Sequence, residues 1–212
     1  TSNLPPIPHS PHFPTFTPSN PQTAPMENII IISSSVRRGR KSHRVALWLK
    51  SYLAENGHTG VAIADLKEYN FPLFDERLSF QDKPDGAVLD FAGKIRAAAG
   101  VIIVTPEYNG SYPASLKNVI DLLGDEWHRK PVAMATVSEG SFGGSRVMIP
   151  LQFTLWKMGA LTVPSVFQVP DVGKAFDENG IPADRAGMEK RTGKFMKELL
   201  WYMEARRRMA EG

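Results

Sequence analysis

A run of four β-branched residues, Val-Ile-Ile-Val at positions 101–104, constrains the fold of this chain more than any other feature of the sequence. Flanked by Gly100 and Pro106, it predicts a strand buried on both faces, as the strands of parallel sheets are. The polar segment 105–110 follows it directly, and a helix begins after that segment. A polar loop at the end of a buried parallel strand lies at the carboxyl edge of the sheet, where open α/β sheets bind their ligands.

The same order of apolar run, polar loop and amphipathic helix repeats along the chain. Strands are predicted at residues 29–32, 61–64, 101–104, 131–137 and 161–167. Helices are predicted over residues 42–56 and 86–99, from residues 111–114 to 123, after residue 144 to 158, and over 183–208. Ser42 is predicted to cap the first helix, and residues 66–85 and 168–183 are predicted to be irregular.

Alternating strands and helices predict an α/β fold in which helices cover both faces of a parallel sheet. Five strands indicate a flavodoxin-like three-layer sandwich with the strand order 2-1-3-4-5.

The first 25 residues form a separate compositional block. They hold eight of the 17 prolines and no Asp, Glu, Lys, Arg or Gly. Such a segment forms neither a helix nor a central strand and buries little surface. We therefore predict a Pro-rich N-terminal extension at residues 1–25, with Met26 as the natural start, and one flavodoxin-like domain at residues 26–212. A native Pro-rich ligand for a partner protein is the alternative for this segment.

Composition excludes several classes of protein. The chain has no cysteine, so it has no disulfide, thiolate metal site or cysteine nucleophile. No apolar run is long enough to span a bilayer, and we expect no secretory signal. A net charge of +3 does not require a nucleic-acid partner. We expect a cytoplasmic protein with neither a nucleic-acid nor a membrane partner. We also expect no metal site, because the five histidines are scattered along the chain.

Residues 33–41 form a polar, basic loop after the first strand. They contain three serines together with Arg37, Arg38 and Arg40, and a helix N-terminus follows. Backbone amides, hydroxyl groups and guanidinium groups at the start of a helix favour a phosphate site. A solvated face or a nucleic-acid patch is the alternative for the arginine run.

Two further loops follow the third and fourth strands. Residues 105–110 offer a rigid proline, a carboxylate, a phenol, an amide and a glycine, which suit the edge of a flat heteroaromatic ring, although a stiff strand-to-helix turn has the same composition. Gly140, Gly143 and Gly144 allow a ring to lie against bare backbone, unless they serve only as a flexible turn. Together the three loops predict a mononucleotide with one phosphate and a large flat head. The glycine-rich motifs of dinucleotide-binding and NTP-hydrolysing proteins do not occur.

Three segments of the chain resemble the NAD(P)H-dependent FMN reductase family, whose flavodoxin-like members include quinone, azo-dye and chromate reductases. The segments are residues 34–40, residues 105–111 with Leu116-Lys117-Asn118, and residues 138–144. The resemblance covers roughly residues 26–200 and implies that the domain at residues 26–212 is an FMN-binding reductase domain with an FMN site. Its residues would be Ser35, Arg37, Arg40 and Ser42 at the phosphate, Pro106, Glu107, Tyr108, Asn109 and Gly110 along the isoalloxazine, and Ser138, Gly140 and Gly143 at the rest of the ring. The family commonly has glycine where this chain has Ser34, and a Cβ there narrows the phosphate loop.

The resemblance implies an oxidoreductase with FMN as cofactor and NAD(P)H as co-substrate. It would pass hydride from the nicotinamide through bound FMN to a small electron acceptor such as a quinone, an azo compound, a metal ion or free flavin. No catalytic side chain is assigned, because the cofactor carries the chemistry. The resemblance also implies a homodimer or homotetramer in which the neighbouring subunit completes each flavin site.

Two other classes of protein remain open. One is a flavodoxin-type electron carrier, which binds FMN without a substrate pocket of its own. Such carriers are usually acidic, so a sequence pI of about 9.1 argues against this class. The other is a non-flavin protein that binds a phosphosugar or a nucleotide.

Overall fold

The computed structural model describes residues 28–211. The predicted extension at residues 1–25 and Met26 lie outside the described residues, so the boundary between extension and domain stays a prediction.

A five-stranded parallel sheet forms the centre of the protein. Its strands are β1 (Ile29–Ser33), β2 (Val61–Asp65), β3 (Gly100–Pro106), β4 (Pro131–Val137) and β5 (Leu161–Val169). Their spatial order is β2-β1-β3-β4-β5, which confirms the predicted order. The pairing aligns Ser33 of β1 with Asp65 of β2 and with Val104 of β3. The loops that follow these strands therefore emerge at one edge of the sheet.

Helices connect the strands and cover both faces of the sheet. Within residues 28–211 they are α1 (Ser42–Glu55), α2 (Leu66–Tyr69), α3 (Gly86–Ala97), α4 (Ala114–Leu122), α5 (Met148–Lys157), α6 (Val172–Ala175) and α7 (Arg185–Glu211). Short 3₁₀ helices lie at Leu78–Phe80, Asp125–Trp127 and Ser145–Val147. No helix in this part of the chain is long and apolar enough to cross a membrane.

Two hydrophobic cores, one on each face of the sheet, share the same strands. Successive side chains of a strand point to opposite faces, so an uninterrupted apolar run supplies both cores. Ile29 and Ile31 pack with α1 and α7, whereas Ile30 and Ile32 pack with α3, α4 and α5. All four side chains are buried. The three-layer sandwich predicted from such runs is therefore confirmed.

The start of α1 differs from the prediction. Lys41 occupies the N-cap position, and Ser42 is the first residue of the helix, so the prediction that Ser42 caps it is wrong. A capping side chain reaches back to the helix from an extended backbone. The backbone of Lys41 is already helical, with φ −99° and ψ −17°, so the chain enters α1 without such a cap.

Both segments predicted to be irregular contain short helices. Residues 66–85 include α2 and the turn Leu78–Phe80, and residues 168–183 include α6. Asp65 caps α2, since its side chain accepts a hydrogen bond from the amide of Lys67 at 3.0 Å. Four-residue helices are too short to show a hydrophobic period, which explains why the sequence pattern does not reveal them.

Candidate active site

The loop between β1 and α1 begins inside the protein. Ser33, Ser34 and Ser35 are fully buried, and the amide of Ser34 donates to the carbonyl oxygen of Val104 at 3.1 Å, which extends the pairing of β1 with β3. The hydroxyl groups of Ser34 and Ser42 are buried and have no hydrogen-bond partner among the described residues. A buried hydroxyl without a partner costs about 1–3 kcal/mol. The loop and the first residue of α1 therefore carry hydrogen-bonding groups that the described residues do not use.

The arginines of this loop have different surroundings. Arg37 is exposed, and its guanidinium carbon lies 5.3 Å from the centre of the Tyr108 ring. The side chain of Arg40 is largely buried. Its Nη1 and Nη2 both donate to the carboxylate of Asp65, and Nη1 also donates to the carbonyl oxygen of Ser35 at 2.6 Å. Arg40 thus lies at the predicted phosphate loop, but Asp65 engages its guanidinium group.

His43, in the first turn of α1, lies next to this ion pair. Its Nδ1 is 3.0 Å from the hydroxyl oxygen of Ser33 and 3.6 Å from a carboxylate oxygen of Asp65. Burial lowers the pKa of His43 below its usual 6.5, although Asp65 acts in the opposite direction. The imidazole is therefore mostly neutral near pH 7 and serves as a hydrogen-bonding partner of Ser33 rather than as a cation.

The loop between β3 and α4 folds into a tight turn directly after Pro106, the last residue of β3. Tyr108 and Ser111 exchange backbone hydrogen bonds of 2.8 and 3.0 Å. Between them, Asn109 and Gly110 have φ angles of 51° and 80°. Two successive residues with positive φ are typical of a type I′ turn, for which Asn-Gly is the preferred pair. Asn109 and Gly110 therefore form the tip of this loop.

Side-chain hydrogen bonds join the turn to the first loop. The hydroxyl oxygen of Tyr108 lies 2.6 Å from that of Ser35. The hydroxyl of Ser115, in the first turn of α4, donates to the carbonyl oxygen of Ser34 at 2.6 Å. Both contacts link segments that are more than 70 residues apart in sequence. Two of the three predicted loops are therefore in direct contact.

The loop after β4 contacts the other two. Lys41 in the first loop places its Nζ 2.7 Å from a carboxylate oxygen of Glu139. The amide of Glu107 in the second loop donates to the carbonyl oxygen of Val137, the last residue of β4, at 3.2 Å, and a carboxylate oxygen of Glu107 accepts from the amide of Arg146, after the third loop, at 3.4 Å. The structure therefore brings all three predicted loops together at one edge of the sheet.

The glycines of the third loop differ in the space around them. Gly143 and Gly144 have φ angles of 58° and 74°. A Cβ on Gly143 would lie 3.1 Å from the Cβ of Gln168, and one on Gly144 would lie 3.0 Å from a backbone nitrogen. Gly140 has open space at that position, and its carbonyl oxygen accepts a hydrogen bond from the hydroxyl of Ser138 at 2.7 Å. Gly143 and Gly144 are thus required by the path of the backbone, whereas Gly140 leaves bare backbone accessible.

A pocket of about 210 Å³ lies beside the first loop. It is lined by Val36, by residues 66 and 70–73, and by Ala114, Ser115 and Asn118 of α4. Asn118 fixes the segment that forms one wall, because its amide nitrogen donates to the carbonyl oxygen of Pro72 at 2.8 Å and its amide oxygen accepts from the backbone of Phe74 at 2.6 Å. No group of three or more His, Asp or Glu residues within residues 28–211 is placed to hold a metal ion.

Comparison with known proteins identifies the family. Residues 28–173, which contain all three loops, match the family model described as NADPH-dependent FMN reductase. The chain belongs to this family. It is an oxidoreductase that uses FMN as cofactor and NAD(P)H as co-substrate, which confirms what the resemblance implied.

Individual relatives agree with this assignment. The chain is 33% identical over 138 residues to the NAD(P)H-dependent FMN reductase LOT6 of Saccharomyces cerevisiae, a match that covers 59% of this chain and 71% of the yeast protein. It is 33% identical over 141 residues to a quinone reductase of Escherichia coli, with 64% and 72% covered. Among solved structures, FerB, a flavoenzyme NAD(P)H:(acceptor) oxidoreductase from Paracoccus denitrificans, has a TM-score of 0.68 at 22% identity and covers 84% of this chain and 98% of its own. This structural likeness shows that the fold is shared.

The geometry of the site fits FMN, a flat ring that carries one phosphate. The first loop combines unpaired hydroxyl groups, the exposed cation of Arg37 and the N-terminus of α1, all of which suit a phosphate. Sequence reasoning allows His43 to touch the phosphate but favours a place on the helix surface, and it does not identify Asp65 as part of this site. Asp65 ends the strand next to β1, and that position is the one signal in the sequence that points to it.

Proposed function

We propose that the three loops form the FMN site of this reductase. In this proposal Ser35, Arg37, Arg40 and Ser42 surround the phosphate, Pro106, Glu107, Tyr108, Asn109 and Gly110 line the isoalloxazine, and Ser138, Gly140 and Gly143 complete the ring site. The observation that carries the proposal is the 2.6 Å contact between the hydroxyl groups of Ser35 and Tyr108. It joins the loop with phosphate-binding chemistry to the loop with ring-binding chemistry.

Bound FMN supplies the redox chemistry, since it accepts a hydride from NAD(P)H and passes electrons to an acceptor. The residues of the chain bind and orient. Asn109 offers an amide at the tip of its turn, Gly140 leaves backbone accessible, and Arg37 supplies a cation at the surface. None of these roles requires a side chain to take up or release a proton, so we assign no catalytic residue.

The electron acceptor in this proposal is a small molecule of the quinone type. The 33% identity to a quinone reductase of Escherichia coli supports this class, and the equal identity to the FMN reductase LOT6 supports free flavin as the second candidate. The basic sequence pI of about 9.1 supports an enzyme over an acidic electron carrier. The proposed location is the cytoplasm, which suits a chain without cysteine.

A second copy of this chain is the proposed partner of α5. Ile149, Phe153 and Trp156 lie on one side of α5 and are 78%, 62% and 65% exposed, and Phe142 in the preceding loop is 78% exposed. Large side chains at this exposure present on the order of 500 Å² of apolar surface per subunit. A stable interface buries about 800 Å² per partner, so this face supplies much of what a homodimer needs. Such a homodimer, alone or paired into a homotetramer, would place α5 of the second copy next to the third loop of the site.

The absorbance spectrum of the purified protein tests the FMN site. We expect added FMN to bind with a shifted flavin spectrum, NAD(P)H to bleach it without oxygen, and a quinone to restore it. Tyr108→Phe removes the contact with Ser35, so the affinity for FMN should fall by roughly threefold to tenfold, the effect of one hydrogen bond. Tyr202→Phe on α7 is the matched control. A protein that takes up no FMN would end the proposal.

Sedimentation tests the proposed homodimer. Replacing Phe153 and Trp156 by serine should give a monomer, because the exposed apolar stripe is lost. Trp201→Ser is the matched control, since Trp201 is also exposed but lies on α7. An unchanged mass of the double variant would rule out this face as the interface.

A further inference from the structure

Asp65 carries a buried carboxylate beside the proposed phosphate loop. Asp65 ends β2 beside Ser33 of β1, and its side chain is only 3% exposed. A carboxylate buried to this degree needs a partner, because desolvation of an unpaired charge is costly. Both terminal nitrogens of Arg40, whose own side chain is 12% exposed, supply that partner. Asp65 therefore fixes the position of the Arg40 guanidinium group.

Arg40 in turn holds the backbone of the phosphate loop. Its Nη1 donates to the carbonyl oxygen of Ser35 at 2.6 Å while it also contacts Asp65. Ser35 is the residue whose hydroxyl contacts Tyr108, and the amide of Arg37 lies 3.4 Å from the same hydroxyl. The position of Ser35 thus sets the geometry on which the proposed phosphate contacts depend.

We propose that Asp65 is a positioning residue for the FMN phosphate: it holds Arg40, Arg40 holds the carbonyl of Ser35, and the loop is thereby set for phosphate binding. The inference rests on the proposed FMN site and changes the role of one residue in it. Arg40 contributes by bracing the loop, and the exposed Arg37 supplies the free cation.

The direction in which one substitution changes the affinity for FMN distinguishes this role from direct binding of the phosphate by Arg40. If Arg40 bound the phosphate as a free cation, Asp65 would compete for it and would repel the phosphate through its own negative charge. Removal of the Asp65 charge would then strengthen FMN binding. If Asp65 braces the loop, the same change weakens FMN binding, because the loop is no longer held in the conformation that binds the phosphate.

Flavin titrations of the Asp65→Asn variant show whether the affinity for FMN rises or falls. Asparagine keeps the shape of the side chain and removes its charge. We expect the affinity for FMN to fall about tenfold or more, which is the effect of losing a charge-assisted contact. Riboflavin has the same ring and no phosphate, so its affinity should fall by clearly less than the affinity for FMN. The ratio of the two affinities is the decisive readout, because a general loss of structure would weaken both flavins equally.

A matched control and a second variant accompany the experiment. Asp90→Asn also removes an aspartate that pairs with a cation, Lys94, but on the exposed surface of α3, and it should leave both affinities unchanged. Arg40→Lys keeps the positive charge but lacks the planar guanidinium group that donates to Asp65 and to Ser35 at the same time. We expect Arg40→Lys to lower the affinity for FMN more than the affinity for riboflavin. It therefore tests the proposal even if the Asp65→Asn variant does not fold.

The outcomes are distinct. Unchanged or stronger FMN binding by Asp65→Asn would overturn the positioning role and leave the FMN site in place. Equal loss of FMN and riboflavin would also overturn it, since Asp65 would then act on the whole fold. A wild-type protein that binds neither flavin would overturn the FMN site and, with it, the role of Asp65.

Discussion

Lys130 is a buried lysine whose charge should make the stability of the protein depend on pH in the alkaline range. The residue is 2% exposed, and its Nζ donates to the carbonyl oxygen of Arg96 at 3.1 Å and to that of Ala98, at the end of α3. Burial, assisted by the nearby cation of Arg206, lowers the pKa of Lys130 from 10.5 to about 8. In the unfolded chain the same lysine keeps a pKa near 10.4.

The sign of the effect follows from which state holds the proton more tightly. Between about pH 8 and about pH 10.5 the unfolded chain keeps the proton on Lys130 while the folded protein loses it. Stability rises with pH wherever the unfolded state binds more protons. At roughly 1.4 kcal/mol per pH unit, the difference between the two pKa values corresponds to about 3 kcal/mol. Below about pH 8 both states are protonated, and the full cost of the buried charge is present.

The assay compares urea unfolding of the wild-type protein with that of Lys130→Met at several pH values. Methionine removes the titrating group, so the difference in unfolding free energy isolates Lys130 from all other groups. From about pH 7 to about pH 10.5 this difference should move toward the wild-type protein by about 3 kcal/mol. Lys174→Met, at a lysine whose side chain is 88% exposed, should show no such change. A flat difference for Lys130→Met would refute the reasoning.

Further predictions concern the loops of the site. Gly140→Ala should leave the melting temperature unchanged and weaken FMN binding, because a Cβ there meets open space in the protein and would stand against the proposed ring; full FMN affinity would exclude that contact. Gly144→Ala should lower the melting temperature, since φ is 74° and the Cβ would lie 3.0 Å from backbone, and an unchanged value would contradict this geometry. Asn118→Ala should lower the unfolding free energy by about 2 kcal/mol through the hydrogen bonds lost to Pro72 and Phe74. Urea unfolding measures it, and a change below about 0.5 kcal/mol would count against it.

The sheet could be predicted from the sequence because its signal is local. Runs such as residues 29–32 and 101–104 consist of β-branched residues flanked by polar or glycine-containing segments, and each becomes a strand buried on both faces. Once strands alternate with helices, handedness leaves few strand orders, and the order was predicted correctly. The Asn-Gly pair at residues 109 and 110 likewise determines its own turn.

The surroundings of Arg40 could not be predicted in this way. Arg40 stands in a run of basic residues that, by sequence, are equally suited to bind a phosphate. Its partner Asp65 is 25 positions away and meets it only because β2 lies beside β1 in the sheet. Gly140 and Gly143 pose the same problem, since only the course of β5 shows which of them has open space. Partners that depend on neighbouring strands require the tertiary structure.

Pro164 makes the edge strand β5 a poor template for the addition of another strand. The pairing of β5 with β4 shifts register between Val132 and Met134, and Pro164 lies in the three-residue stretch of β5 opposite that shift. Proline has no amide hydrogen to offer an incoming strand, and irregular pairing bends an edge away from a flat template. The opposite edge strand, β2, is only five residues long. Strand addition at either border is therefore discouraged, which protects the protein from amyloid-like growth of its sheet while it remains folded.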